Sequence, residues 1–199
     1  KGCRVVASFG NISASGGVYI GVAAESIVAN PGTITGSIGV ILRGNDLSRV
    51  FERIGIRFDT VKSGVYKDIL SPDRPLSPEE RALLQELIDS SYGQFVRVVA
   101  EGRSMTEEAV RGFADGRVFS GEQAKALGLV DELGDEDHAR RLAAKLADLD
   151  EATARPVTLG RTRKKLINLL PGSQLITLLQ QRLSLELMGS GQVLWLYRP

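Results

Sequence analysis

A chain of 199 residues can bury one substantial core but is short for two domains of ordinary size, so one compact domain with a tail is the starting expectation. Hydrophobic residues make up 43% and charged residues 25%, with 25 Lys and Arg against 24 Asp and Glu, which excludes an acidic disordered solvator and a basic nucleic-acid arm. One cysteine, Cys3, and one histidine, His138, leave neither a disulfide framework nor the usual histidine or cysteine metal centre, so no metal or cofactor is expected.

The chain enters an apolar run at once and does not begin with methionine, and it is expected to be the remainder of a longer protein whose leading part, with any membrane anchor, lies upstream. Arg4 to Phe9 reads as a strand, Gly10 to Gly17 as a turn, Val18 to Glu25 as a short apolar helix, and Ser26 to Ala29 as a second strand. Asn30-Pro-Gly-Thr33 breaks the chain, and Thr35 to Val40 forms another glycine-bearing turn. Asp46 to Arg53 is a helix candidate. Ile56 to Lys62 alternates with period two, as a half-buried strand should.

From residue 77 the pattern becomes helical. Ser77-Pro-Glu-Glu80 offers an N-cap serine, a proline at the first helical position and a glutamate at the third, and the amphipathic run continues to about Ala100. Further starts fall at Thr106, at Ser120 with Gly128 as the stop, and at Asp135, whose helix runs to Leu149. His138 lies in that charged helix, on what reads as a solvated face. Strands followed by helices predict an α/β domain over residues 1–150. Residues 151–199 form a tail with seven cationic side chains from Arg155 onward against the single Glu186, predicting a pair of basic amphipathic helices for packing, a partner subunit or an anionic membrane surface. Residues 193–197 read as a terminal strand seeking a sheet edge.

Chemistry points to Ser15, in Ser13-Ala-Ser-Gly-Gly17 between a strand and an apolar helix. A serine held at such a turn has the backbone N–H of Gly16 or Gly17 beside it at a helix N-terminus, a natural pair of oxyanion donors. The plainer account makes Ser15 the helix N-cap, and for an arbitrary Ser-Gly-Gly that account is the better one. The run also lacks the first glycine of a Gly-x-Ser-x-Gly elbow. With no usable histidine, a base must be a lysine whose pKa is lowered by burial or nearby positive charge. Lys67 and Lys62 both lie in the connection after the period-two segment. The alternation turns Lys62 toward solvent, which favours Lys67.

Four motifs in order carry a resemblance: Ser13-Ala-Ser-Gly-Gly-Val-Tyr-Ile20, Thr35-Gly-Ser-Ile-Gly-Val40, Lys62-Ser-Gly-Val-Tyr-Lys-Asp68, and the run from Asp115 to Asp131. Over roughly residues 4–148 the chain resembles the signal peptide peptidase A family of serine-lysine peptidases, in the ClpP/crotonase-like superfamily. The resemblance implies a ββα-unit α/β fold with a helical C-terminal extension. It implies Ser15 as nucleophile, Lys67 as general base, Ser37 as the auxiliary serine orienting the lysine, and Gly16, beside Gly17, as an oxyanion donor. The family's other donor comes from a glycine-rich turn upstream of the nucleophile, which this sequence does not show and which is expected in the leading part. Implied substrates are remnant signal peptides cleaved in their apolar core, implied partners are further copies of the chain in a ring and a membrane surface, and no nucleic acid is expected. Two other readings compete: a catalytically silent oligomeric membrane scaffold, which would lack Ser15 or Lys67, and a crotonase-like acyl-CoA enzyme, which would place carboxylates at its site.

Overall fold

A computed structural model describes residues 3–157 and the strand 193–196. The chain separates into two compact units, one of residues Lys1–Ile38 and Val96–Pro199, the other of Gly39–Phe95.

In the first unit the short apolar runs expected as strands are strands, and they pair with one another. The strands β1 (Val5–Phe9) and β3 (Ser26–Ala29) run parallel, with Val6 opposite Ser26 and Phe9 opposite Ala29. Between them lie β2 (Ile12–Ala14) and the helix α1 (Gly16–Gly21). The expected turn from Gly10 to Gly17 therefore contains a strand, and the helix begins and ends earlier than the apolar run suggested. The strand β4 (Ile34–Gly36) runs parallel to β2. Further along, β5 (Val118–Phe119) joins β4 antiparallel and β6 (Glu132–Leu133) joins β3 parallel. The last strand, β7 (Val193–Leu196), pairs antiparallel with β1, the sheet edge that its sequence called for. One sheet thus has the order β6-β3-β1-β7 and the other β2-β4-β5. The class is α/β.

Helix α6 (Glu136–Leu146) is placed by alanines. Ala139 and Ala143, one turn apart, pack on Val6 and Val28 of the first sheet, with Leu142 and Leu146 at the margin. Small side chains bring the helix close to the sheet, and each fully buried valine beneath contributes about 1.5–3 kcal/mol. Helix α1 approaches β1 at Gly21, where a Cβ would collide with the Phe9 ring. The helices α4 (Glu107–Arg111) and α5 (Gly121–Ala126) start at Thr106 and Ser120, whose hydroxyls accept from Ala109 and Gln123 amides, the latter within a full capping box. Asp135 caps α6 through the His138 amide, and α6 stops three residues short of Leu149.

The second unit holds α2 (Ser48–Arg53) and the greater part of α3 (Pro78–Gly102), whose start at Ser77 is closed by the expected serine-glutamate box: Glu80 N–H donates to Ser77 Oγ at 3.2 Å, and Ser77 N–H to Glu80 Oε2 at 2.9 Å. The expected strand at Ile56–Lys62 is absent. All seven residues are exposed and irregular, because no strand runs beside them among the described residues to take up their backbone groups. Phe51 and Phe58 stack edge to face here, with centroids 4.9 Å apart. Apart from residues 151–157, which form turns and irregular chain, and β7, the basic amphipathic tail lies outside the described residues.

Candidate functional site

Ser15 and Ser37 are neighbours because β2 and β4 are. Ala14 and Gly36 are register partners at the carboxyl ends of parallel strands, and each serine is the next residue. The carboxyl ends of parallel strands are where α/β folds place ligands. The Ser15 N–H donates to the Gly36 carbonyl at 2.8 Å, and the Ser37 N–H donates to the Arg117 carbonyl at 2.8 Å. Gly36 itself has a φ of 79°, and a Cβ there would strike the Phe119 ring. Arg117 is positioned in turn by Asp115, which accepts from its backbone N–H at 3.1 Å and from its guanidinium at 2.8 Å. That pairing holds the Asp115 carboxyl down at about 2. The Asp115-Gly-Arg-Val-Phe119 motif therefore braces the backbone of Ser37.

Ser15 occupies the N-cap position of α1 but does not cap it. Its backbone has φ 52° and ψ −113°, in the left-handed half of the map, and its side chain makes no cap hydrogen bond. Ser37 is likewise at φ 51°. Non-glycine residues held in this region cost about 1–3 kcal/mol each and cluster at functional sites. Both serines are half-buried. The first N–H of α1 belongs to Gly16, which is exposed next to Ser15. Gly17 follows it in the same turn. Thus four of the five expected site residues, Ser15, Gly16, Gly17 and Ser37, come together within the first unit.

Lys67 belongs to the second unit. It sits in a succession of tight turns in which the Lys67, Ile69 and Ser71 amides bond the carbonyls of Gly64, Tyr66 and Asp68. With the expected strand absent and both lysines exposed, alternation gives no ground for choosing between them, but their surroundings differ. Lys62 Nζ is engaged, donating to the Val65 carbonyl at 3.0 Å and to Asp68 Oδ1 at 2.6 Å. The Lys67 side chain is exposed and has no partner among the described residues.

Asp68, directly after Lys67, also receives Arg74: Nε to Oδ2 at 3.1 Å and Nη2 to Oδ1 at 2.9 Å. The same guanidinium binds Glu80 through Nη1 to Oε2 at 2.8 Å and Nη2 to Oε1 at 2.5 Å. Arg74, first, and the Ser77 amide hold the Glu80 carboxyl down at about 2, and Arg74 and Lys62 hold Asp68 well below the carboxylate range. Sequence reasoning found the Ser77–Glu80 box but missed the links of Asp68 and Arg74, since the chain from Asp68 to Ser77 is turns and irregular backbone, where no helical or strand period relates side chains.

His138 lies on α6 as expected, but half-buried rather than on a solvated face, with Nε2 2.5 Å from Glu132 Oε2. Among the described residues no group of three or more His, Cys, Asp or Glu side chains is arranged to hold a metal ion. A cavity of about 470 Å³ in the second unit, lined among others by Leu42, Arg43, Leu70, Arg74 and Arg81, includes neither Lys62 nor Lys67.

These features fit a hydrolytic α/β protein, and comparison with known proteins places the chain among the peptidases. It belongs to peptidase family S49, whose model matches residues 1–150. It is 54% identical to the "Putative protease slr0021" of Synechocystis, over 98% of this chain and 74% of that one. It is 43% identical to the "Putative signal peptide peptidase SppA" of Enterococcus faecium, over 75% of this chain and 43% of that one. A crystal structure of a "Putative enoyl-CoA hydratase/isomerase family protein" from Hyphomonas neptunium aligns with 71% of this chain and 38% of its own, at 18% identity and a TM-score of 0.36.

Proposed function

We propose that the protein is a serine endopeptidase that cleaves the apolar core of membrane-associated signal peptides, with Ser15 as nucleophile and Lys67 as general base. The observation that carries this reading is the state of Ser15. It stands at the end of a parallel strand, on a strained backbone, at a helix start whose cap its hydroxyl does not make. In the reaction Lys67 takes the Ser15 proton as the hydroxyl attacks the scissile carbonyl, and returns it to the leaving amine. Gly16 N–H donates to the oxyanion. Ser37 holds the lysine in line. The engagement of Lys62 by Val65 and Asp68 supports Lys67 over it.

A lysine sheds its proton near neutrality only when desolvated or crowded by positive charge. Lys67 is exposed, so this reading calls for something to cover it. The second unit exposes several apolar side chains, among them Ile41 at 76%, Ile54 at 62%, Val61 at 97% and, two residues before Lys67 in the chain, Val65 at 73%. So much exposed apolar surface is characteristic of an interaction site. A second copy of the chain is the partner we assign to it, in a closed homo-oligomer that completes each dyad. Membrane association rests on the family likeness, since no described helix is long and apolar enough to cross a bilayer. A fluorophosphonate probe tests the reading directly: it should label the wild type at Ser15 and leave Ser15→Ala unlabelled, and labelling elsewhere would overturn it.

A further inference from the structure

The turns that carry Lys67 are pinned on both sides of it, while Lys67 itself is left unengaged. On the N-terminal side Lys62 reaches forward to the Val65 carbonyl and to Asp68 Oδ1. On the C-terminal side Asp68 receives the fork of Arg74, whose Nη2 also donates to the Asp68 carbonyl at 3.3 Å. Arg74 then hands the segment on to Glu80, whose side chain is 5% exposed and is fixed in the first turn of α3 by the Ser77 amide. Two cations and two anions close a neutral network, so no member is an uncompensated buried charge. A guanidinium presents several N–H groups in a rigid plane and can bind two carboxylates at once, which an ammonium cannot do with the same directionality.

We propose that Arg74 is the positioning residue of the general base: by clamping Asp68 to Glu80 it fixes the backbone on which Lys67 is presented, and it acts on hydrolysis only through Lys67. This rests on the reading of Lys67 as the base. A lysine side chain has four rotatable bonds, and a base displaced by about 1 Å can lose 10²-fold in rate, so backbone placement is where such a device takes effect. The low carboxyl values of Asp68 and Glu80 agree with a network that stays ionised throughout the working range.

The test measures kcat and KM of the full-length protein per active site, counted by fluorophosphonate titration, well below each variant's melting temperature. Arg74→Ala and Asp68→Asn should each lower kcat about 10- to 100-fold with KM within about threefold. The double variant should be no worse than the poorer single one, since both cut the same clamp. Arg74→Lys, which keeps the charge but not the fork, should recover only part of kcat. If Arg74→Ala does not fold, Asp68→Asn, which changes charge and not volume, carries the test. A lowered melting temperature with unchanged kcat per titrated site would make the network purely structural and overturn the proposal. Lys67→Ala separates the two readings. If it is inactive while the Arg74 and Asp68 variants keep full kcat, the positioning role alone falls; if it keeps activity, the base assignment falls and the positioning role with it.

Discussion

The strain at Ser15 should be measurable as stability gained when it is released. With φ 52° and ψ −113°, Ser15 holds a conformation that costs a side-chain-bearing residue about 1–3 kcal/mol, whereas glycine adopts it freely. Glycine also loosens the unfolded chain by about 0.4–1 kcal/mol, so Ser15→Gly should stabilise the protein by a net of about 0 to 2.6 kcal/mol, centred near 1 kcal/mol. At about 1 kcal/mol a chain of this size gains roughly 2–4 °C in melting temperature. Ser15→Ala keeps the strain and removes only the hydroxyl. A working N-cap would lose about 0.5–2 kcal/mol in that change, but Ser15 makes no cap bond, so Ser15→Ala should stay within about 0.5 kcal/mol of wild type. Both variants should be inactive on an apolar peptide. Denaturant midpoints for the three proteins decide the matter. A Ser15→Ala loss of about 1 kcal/mol or more would show the hydroxyl to be a cap, and a Ser15→Gly variant less stable than Ser15→Ala would refute the strain.

Lys67→Ala should abolish hydrolysis as completely as Ser15→Ala, with Lys62→Ala far less damaging and Ser37→Ala intermediate; a dead Lys62→Ala beside an active Lys67→Ala would reverse the base assignment. Glu80 has its carboxyl lowered from 4.5 to about 2 on folding, so its contribution to stability is fully present above about 4.5 and is lost as the pH falls toward 2. Denaturation midpoints across that range should fall less steeply in Glu80→Gln than in wild type, and equal slopes would contradict the ion pair. In mixed oligomers of Ser15→Ala and Lys67→Ala chains, a dyad shared between neighbours should restore about a quarter of wild-type activity at equal amounts, whereas silence in demonstrably mixed assemblies would place both residues in one chain.

Local chemistry was legible along the chain. The starts at Ser77, Thr106, Ser120 and Asp135 could be read because each cap joins a side chain to an amide three residues on, a contact that no distant segment has to supply. The four ordered motifs likewise sufficed to identify the family and nominate its serines and lysine. Elements that depend on a partner could not be read in this way. Two-residue strands such as β5 and β6 exist only because β4 and β3 are there to pair with them, while the well-patterned Ile56–Lys62 stays unpaired and irregular. Tertiary structure also decided what the candidate residues do with their polar groups. Ser15 and Ser37 meet through the β2–β4 register, across 22 residues of sequence, and Ser15 is relieved of capping by a backbone angle that no side-chain pattern encodes. Lys62 and Lys67, chemically identical and five residues apart, were separated by Asp68 and the Val65 carbonyl, which engage the one and leave the other unpartnered. Sequence carries what a residue can do over a single turn of chain, and packing selects which of those capacities is left unspent.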